Sequence, residues 1–160
     1  MKKFLFVWLC LMTFQLPAQE VQLLRAFEDK ISLIDSFSTN APAKSFELLN
    51  SLDRDAKVLR ADSFLYVARY KRAMILQQLG MYDQTLEILY SLLPKLESWK
   101  MAYKKGEILY NIALTYFSLH DYKNYYSYSL QSKNAFIASK RFSDTLDVNT
   151  EIGLALVSLG

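Results

Sequence analysis

Leu79-Gly80, Leu119-His120 and Leu159-Gly160 follow one another at a constant interval, each pair 40 further along the chain than the last. Other positions keep the same interval: Ala73, Ala113 and Gly153; Ile112 and Ile152; Leu114 and Leu154; Tyr70 and Tyr110; Tyr82 and Tyr122. A fixed period of this length marks stacked supersecondary units, none of which buries its apolar face alone. Strand-type alternation is absent, and four glycines and three prolines in 160 residues leave long stretches uninterrupted. The unit is therefore a helix pair, and the expected fold is an all-α solenoid of antiparallel pairs with its last repeat incomplete. Such an object is ordinarily a binding surface rather than a reaction vessel.

The start of the chain is of another kind. Met1-Lys2-Lys3 is a short positive start, Phe4 to Phe14 is uncharged and apolar, and Gln15-Leu16-Pro17-Ala18 ends the run with a small residue. This is the layout of a signal peptide over 1–18, with cleavage after Ala18. The run is too short to span a bilayer, which takes about 20 apolar residues. Cys10 lies inside it without a small residue before it, so lipidation is not expected. Residues 19–160 hold no cysteine and form one expected domain, exported and periplasmic, whose stability comes from packing without disulfides. The formal charge of +3 becomes +1 without Lys2 and Lys3. No basic face stands out to neutralise phosphates, so no nucleic acid partner is expected.

Within the domain, apolar residues at Val21, Leu24, Phe27, Ile31, Ile34 and Phe37 trace one stripe on a helix over Gln19 to Phe37. Pro42 suits the first turn of a second helix, expected from Ala43 to about Leu52 with Phe46 and Leu49 inward. The charged stretch Asp53 to Ala61 reads as a loop, and its acids Asp53 and Asp55 as solvated. Asp62-Ser63 reads as the cap of a helix to Leu79, closed by Gly80. The next helix spans Tyr82 to Leu93, where Pro94 ends or kinks it. A further pair covers about Trp99 to Leu119 and Tyr122 to Ser139, and Ser143 or Asp144 caps the last helix. The weak first pair thus occupies 20–58, the repeats 62–97 and 99–139, and a half repeat 143–160.

The run from Asn111 through Tyr122 resembles the core of a tetratricopeptide repeat. Ile112, Ala113, Tyr116, Leu119 and Tyr122 fill the family's positions, as do Ala73, Leu76, Leu79, Gly80 and Tyr82 one period earlier. Ile152, Gly153, Leu156, Leu159 and Gly160 begin a third copy. The small residues Ala73, Ala113 and Gly153 then mark close approach between the helices of a pair, and Tyr82 and Tyr122 plug the corner. The period here is longer than the family's, which is about 34 residues. Arg72 replaces an apolar residue, and Thr85 and Tyr125 replace alanine. The resemblance implies a right-handed superhelix whose first helices line a concave groove. The positions carried over are Tyr70, Lys71, Met74, Gln77 and Gln78; Tyr110, Asn111, Leu114, Phe117 and Ser118; and Thr150, Glu151, Leu154, Val157 and Ser158. Asn111 matches an asparagine that many members use to hold a peptide backbone or carboxylate. Glu151 stands where a carboxylate clamp needs a cation, so that clamp is not expected.

Catalysis finds no footing. His120 is the only histidine and sits at a turn in register with Gly80, so no nucleophile–base set can be assembled from it and no metal-ligand spacing appears. No catalytic residue, cofactor or metal is expected. Tyr122, Tyr125, Tyr126 and Tyr128 crowd one helix, and Tyr103, Tyr110, Tyr116 and Phe117 its neighbour. They read as repeat packing or as a stacking surface, and one helix cannot bury Tyr125, Tyr126 and Tyr128 together. The expected function is an exported, non-enzymatic scaffold that binds a partner protein or peptide. Two alternatives are the periplasmic sensor portion of a membrane-bound histidine kinase or transcriptional regulator, resembling proteins of the Bacteroidetes type, and a glycan-binding repeat. A membrane is expected to matter only through the signal peptide or a segment outside this sequence. Val148, Ile152, Leu156 and Leu159 form a stripe on the final helix with no following helix over it, so a homodimer or an unstable fragment is expected there.

Overall fold

The computed structural model describes residues 18–58, 62–139 and 144–159, and the expected signal peptide lies outside them but for Ala18. The described residues form seven α-helices: α1 (Ala18–Phe37), α2 (Pro42–Val58), α3 (Asp62–Gln78), α4 (Tyr82–Ser98), α5 (Ala102–Ser118), α6 (Tyr122–Ala138) and α7 (Asp144–Leu159). No strand occurs among them. Consecutive helices pack on each other, so the fold is an all-α helical-repeat array of helix pairs. Two compact units divide the chain, residues 1–68 and residues 69–160, with α3 running from one into the other.

The architecture has a finer beat than the sequence repeat. Helices α2 to α6 are each 17 residues long, and their first residues fall 20 apart. Between α3 and α6 every turn has three residues. The middle one is left-handed: Gly80 at φ 73°, Lys100 at φ 55° and His120 at φ 58°. Each turn closes with two crossed bonds. Met81, Met101 and Asp121 donate to the carbonyls of Leu76, Leu96 and Tyr116, while Gly80, Lys100 and His120 donate to Gln77, Glu97 and Phe117, all at 2.9–3.1 Å. This double closure satisfies carbonyls that the helix end leaves free. His120 is thus an exposed turn residue in register with Gly80.

The second helix of each pair buries one stripe at spacings of four, three and four. The stripe is Ser45, Leu49, Leu52, Ala56 in α2, Thr85, Leu89, Leu92, Leu96 in α4, and Tyr125, Ser129, Ser132, Phe136 in α6. The positions keep the interval of the sequence repeat, but volumes are exchanged between them. A tyrosine replaces a small hydroxyl residue in α6, and two serines replace two leucines. Close-packed interiors tolerate such swaps when the total volume is kept.

This stripe explains two departures from the sequence expectation. Asp53 to Val58 is helix, not loop, because Ala56 completes the buried row and Lys30 Nζ reaches Ser51 at 2.6 Å and Asp55 at 2.5 Å. Asp55 is therefore paired with a cation rather than simply solvated. Pro94 lies inside α4 instead of ending it, since Leu92 and Leu96 on either side are both buried anchors. A proline in a helix interior costs about 3 kcal/mol, and two buried leucines at about 1.5–3 kcal/mol each offset it.

In the first unit, α1 buries Phe27 and Ile34 fully, with Val21, Leu24, Ile31 and Phe37 half-buried on the same stripe. Phe27 meets Phe64 edge-on at 4.8 Å. Ser45 donates to the Ile34 carbonyl at 3.3 Å. In the second unit, Ala73 and Ala113 are completely buried, as close approach requires. Gly153 is not: it is exposed, and a Cβ there would meet nothing within 4 Å. The tightest approach falls instead at Gly106, where a Cβ would stand 2.7 Å from the Phe136 ring and where Ser132 donates to the Gly106 carbonyl at 2.8 Å.

Candidate binding groove

The predicted groove positions all lie in the second unit, on α3, α5 and α7. The structure brings two pairs of them, or their neighbours, into contact. The Asn111 amide donates to the Tyr70 hydroxyl at 3.1 Å and to the Glu107 carbonyl at 2.8 Å. Gln77 donates to Thr115 at 3.2 Å. These bonds join α3 to α5, so successive first helices lie side by side. They also engage both amide hydrogens of Asn111. Its first role here is to hold helix to helix, and a peptide carbonyl would have to displace one of those contacts. Burial, followed by the nearby Glu107 carboxylate, raises the Tyr70 phenol above its ordinary value, which keeps it neutral.

The remaining α3 positions divide by exposure. Lys71, Met74 and Gln77 are half-buried and Gln78 is exposed. On α5, Tyr110, Leu114 and Ser118 are half-buried, whereas Phe117 is 44% exposed. The Phe117 ring rests against Tyr125 at 5.1 Å and Tyr122 at 6.2 Å, so two aromatic neighbours hold it in place. Tyr122 thereby fills the corner expected of it. On α7, Thr150, Val157 and Ser158 are exposed, and Leu154 is 50% exposed.

Glu151 is engaged inside the protein. The Tyr125 hydroxyl donates to its carboxylate, linking α6 to α7. Tyr125 is completely buried and its phenol is raised above the ordinary value, by burial first and by Glu151 second. Tyr126 and Tyr128 are half-buried on the same helix, which shares the crowding out as geometry demands.

One polar cluster has no counterpart in the expected site. The Tyr90 hydroxyl lies 2.9 Å from those of both Tyr116 and Tyr128. The Tyr116 and Tyr128 rings stack at 5.5 Å, only 7° from parallel. Tyr90 is raised above the ordinary value, by burial first and then by the two phenols. The three hydroxyls, from α4, α5 and α6, satisfy one another and stitch two pairs together. Tyr90 and Tyr128 do not occupy equivalent places in their repeats, so aligning the repeats conceals the contact.

One further feature lies apart from the groove positions. A crevice of about 400 Å³ between α5 and α6 is floored by Leu109, Ala135 and Ala138. Among the described residues, no group of three or more His, Cys, Asp or Glu side chains is placed to hold a metal ion. No described helix is long and apolar enough to cross a membrane.

Comparison with known proteins gives no match: no family model fits the chain, and no curated protein or solved structure is significantly similar to it.

Proposed function

We propose that this chain is a tetratricopeptide-like, non-enzymatic interaction module that takes an apolar peptide segment across the first-helix faces of its second unit. The observation that carries the reading is Phe117. It is a large ring left 44% exposed, flanked by Tyr122 and Tyr125, on a helix whose neighbouring groove positions Tyr110, Leu114 and Ser118 remain partly accessible. A pre-positioned aromatic loses little freedom on binding, and such residues anchor interfaces. The polar groups beside it, Asn111 and Glu151, already have partners within the protein, so shape and apolar contact would supply most of the affinity.

In the same reading the chain is exported by its leader, 1–18, and works as a scaffold in the periplasm. The glycan alternative draws less support, because Tyr90, Tyr116 and Tyr128 direct their hydroxyls at each other.

A display library of random peptides, selected against the full chain, tests the groove. The expected result is a set of binders with apolar side chains that lose tenfold or more in affinity, about 1.4 kcal/mol, against Phe117→Ala. Selected peptides that bind Phe117→Ala and Leu114→Ala as well as the parent would refute the groove assignment.

A further inference from the structure

The crevice between α5 and α6 belongs to one pair and not to the repeat. Leu109 forms its floor, 2% exposed, and Ala135 and Ala138 line it from α6. One period earlier the same places hold Arg69, Lys95 and Ser98. Long or polar side chains there are exchanged for small or apolar ones in the later pair, and about 400 Å³ stands open. A second crevice of about 400 Å³ meets the first at Ala102 and Ala138 and continues past Lys100 and Lys104.

The two rims differ in chemistry. On the α6 side stand Gln131 and Asn134, both exposed. Gln131 donates to the Ser127 carbonyl at a long 3.4 Å. On the α5 side stand three lysines, Lys105 at the first crevice and Lys100 and Lys104 at the second. Lys105 Nζ lies 2.6 Å from Glu97, and Lys104 Nζ lies 2.8 Å from Glu107. Two carboxylates against three ammonium groups leave one positive charge in excess. The Glu97 side chain is 59% exposed, and a pair so wet is worth little, so Lys105 can exchange it for another carboxylate. An apolar floor with a few polar groups at its rim is the usual build of a binding site.

We propose that this double crevice is a binding site for an acidic peptide segment of a partner protein. One apolar side chain of the segment sits over Leu109, and its carboxylates meet Lys100 and Lys105. Gln131 and Asn134 carry the donors and acceptors that its backbone needs. Two crevices end to end, with amides along one rim, suit an extended chain. Every Asp and Glu of the sequence lies within the described residues, so residues 1–17, 59–61 and 140–143 offer no side-chain carboxylate to this site. The site is separate from the first-helix groove and does not rest on the peptide reading there.

Fluorescence anisotropy of labelled short peptides with the full chain provides the test. One pool carries Asp and Glu around a single Leu or Phe, a second replaces the acids by Lys, and a third replaces the apolar residue by Ala. The first pool is expected to bind about tenfold or more tighter than either other, and to weaken as salt rises. Ala138→Phe, at an exposed position bordering both crevices, and Lys105→Gln should each weaken it about tenfold or more, with unchanged circular dichroism. Lys57→Gln, which removes an exposed lysine from α2, should bind like the parent. No binding by the first pool, equal binding of the acidic and basic pools, or binding indifferent to both Ala138→Phe and Lys105→Gln would overturn the proposal. Displacement of the peptide by an equal concentration of decanoate would also overturn it, and would assign the crevice to a small amphiphilic carboxylate.

Discussion

The hydroxyl of Tyr125 donates to Glu151, so the largest fully buried side chain of the second unit is also the polar link between α6 and α7. In α2 and α4 the same stripe position is held by Ser45 and Thr85, whose hydroxyls turn back to main-chain carbonyls: Ser45 to Ile34, and Thr85 to Met81 at 3.0 Å. The third pair uses the position to reach the next helix instead. Tyr125→Phe should keep the packing and lose the bond, lowering stability by about 1–3 kcal/mol in urea unfolding, the range for a hydrogen bond to a charged group. Tyr125→Thr, which copies α4, should cost more, about 3–5 kcal/mol, because the ring leaves a cavity.

Gly106→Ala tests the contact between α5 and α6. The new methyl would stand 2.7 Å from the Phe136 ring, which is itself buried. Helix propensity favours alanine by about 1 kcal/mol, but overpacking costs about 1–3 kcal/mol. A net loss of stability is expected, and Phe136→Leu in the same chain should recover part of it.

The left-handed turns give a prediction of opposite sign at equivalent positions. Lys100 and His120 adopt φ of 55° and 58° with a Cβ attached, while Gly80 adopts 73° without one. Lys100→Gly and His120→Gly should each stabilise the fold by about 0.5–1 kcal/mol, and Gly80→Ala should destabilise it by about 1 kcal/mol. Thermal melts of the three variants check all three signs.

Ser129 and Ser132 are both fully buried on α6, but only Ser132 has a partner, the Gly106 carbonyl. The Ser129 hydroxyl makes no hydrogen bond. Ser129→Ala should therefore leave stability unchanged or raise it by up to about 1 kcal/mol, whereas Ser132→Ala should lower it by about 1 kcal/mol. Equal losses at both positions would contradict the assignment.

The raised phenols set the alkaline limit. Tyr70, Tyr90 and Tyr125 are all held above the ordinary value of 10.0 in the folded state. The unfolded chain therefore releases these protons first as pH rises. Their contribution is complete below the ordinary phenol value and is lost progressively above it. The melting temperature should fall steadily once that value is passed, and Tyr90→Phe should flatten the fall while lowering stability at neutral pH.

The fold was legible in the sequence because small and large apolar residues recur at one interval, and Gly80, His120 and Tyr122 announce two of the turns. The shorter step beneath it was hidden, since first and second helices bury different residue types and Lys100 does not look like a turn residue. The end of α4 was hidden too, because Pro94 is a local signal and Leu96 answers to the core. That α3 and α5 are equivalent helices one repeat apart was legible in the interval. That Asn111 bonds to Tyr70 was not, because a sequence shows the donor but not its partner in the preceding repeat. The Tyr90 cluster fell off the register altogether. Gly153, the third small residue of the series, has nothing among the described residues within 4 Å of its missing Cβ, so its expected part in close approach has no counterpart there.

Amide hydrogen exchange read along the backbone tests the central claim most directly, that helices of equal length joined by three-residue turns recur twice within each sequence repeat. The structure predicts protected blocks that begin at Thr85, Lys105 and Tyr125 and run through the turn that closes each helix, with protection minima at Tyr82–Gln84, Ala102–Lys104 and Tyr122–Lys123, the first-turn amides that no helix carbonyl accepts. Protection that ends at Pro94, or that runs unbroken through Ala102–Lys104, would contradict it.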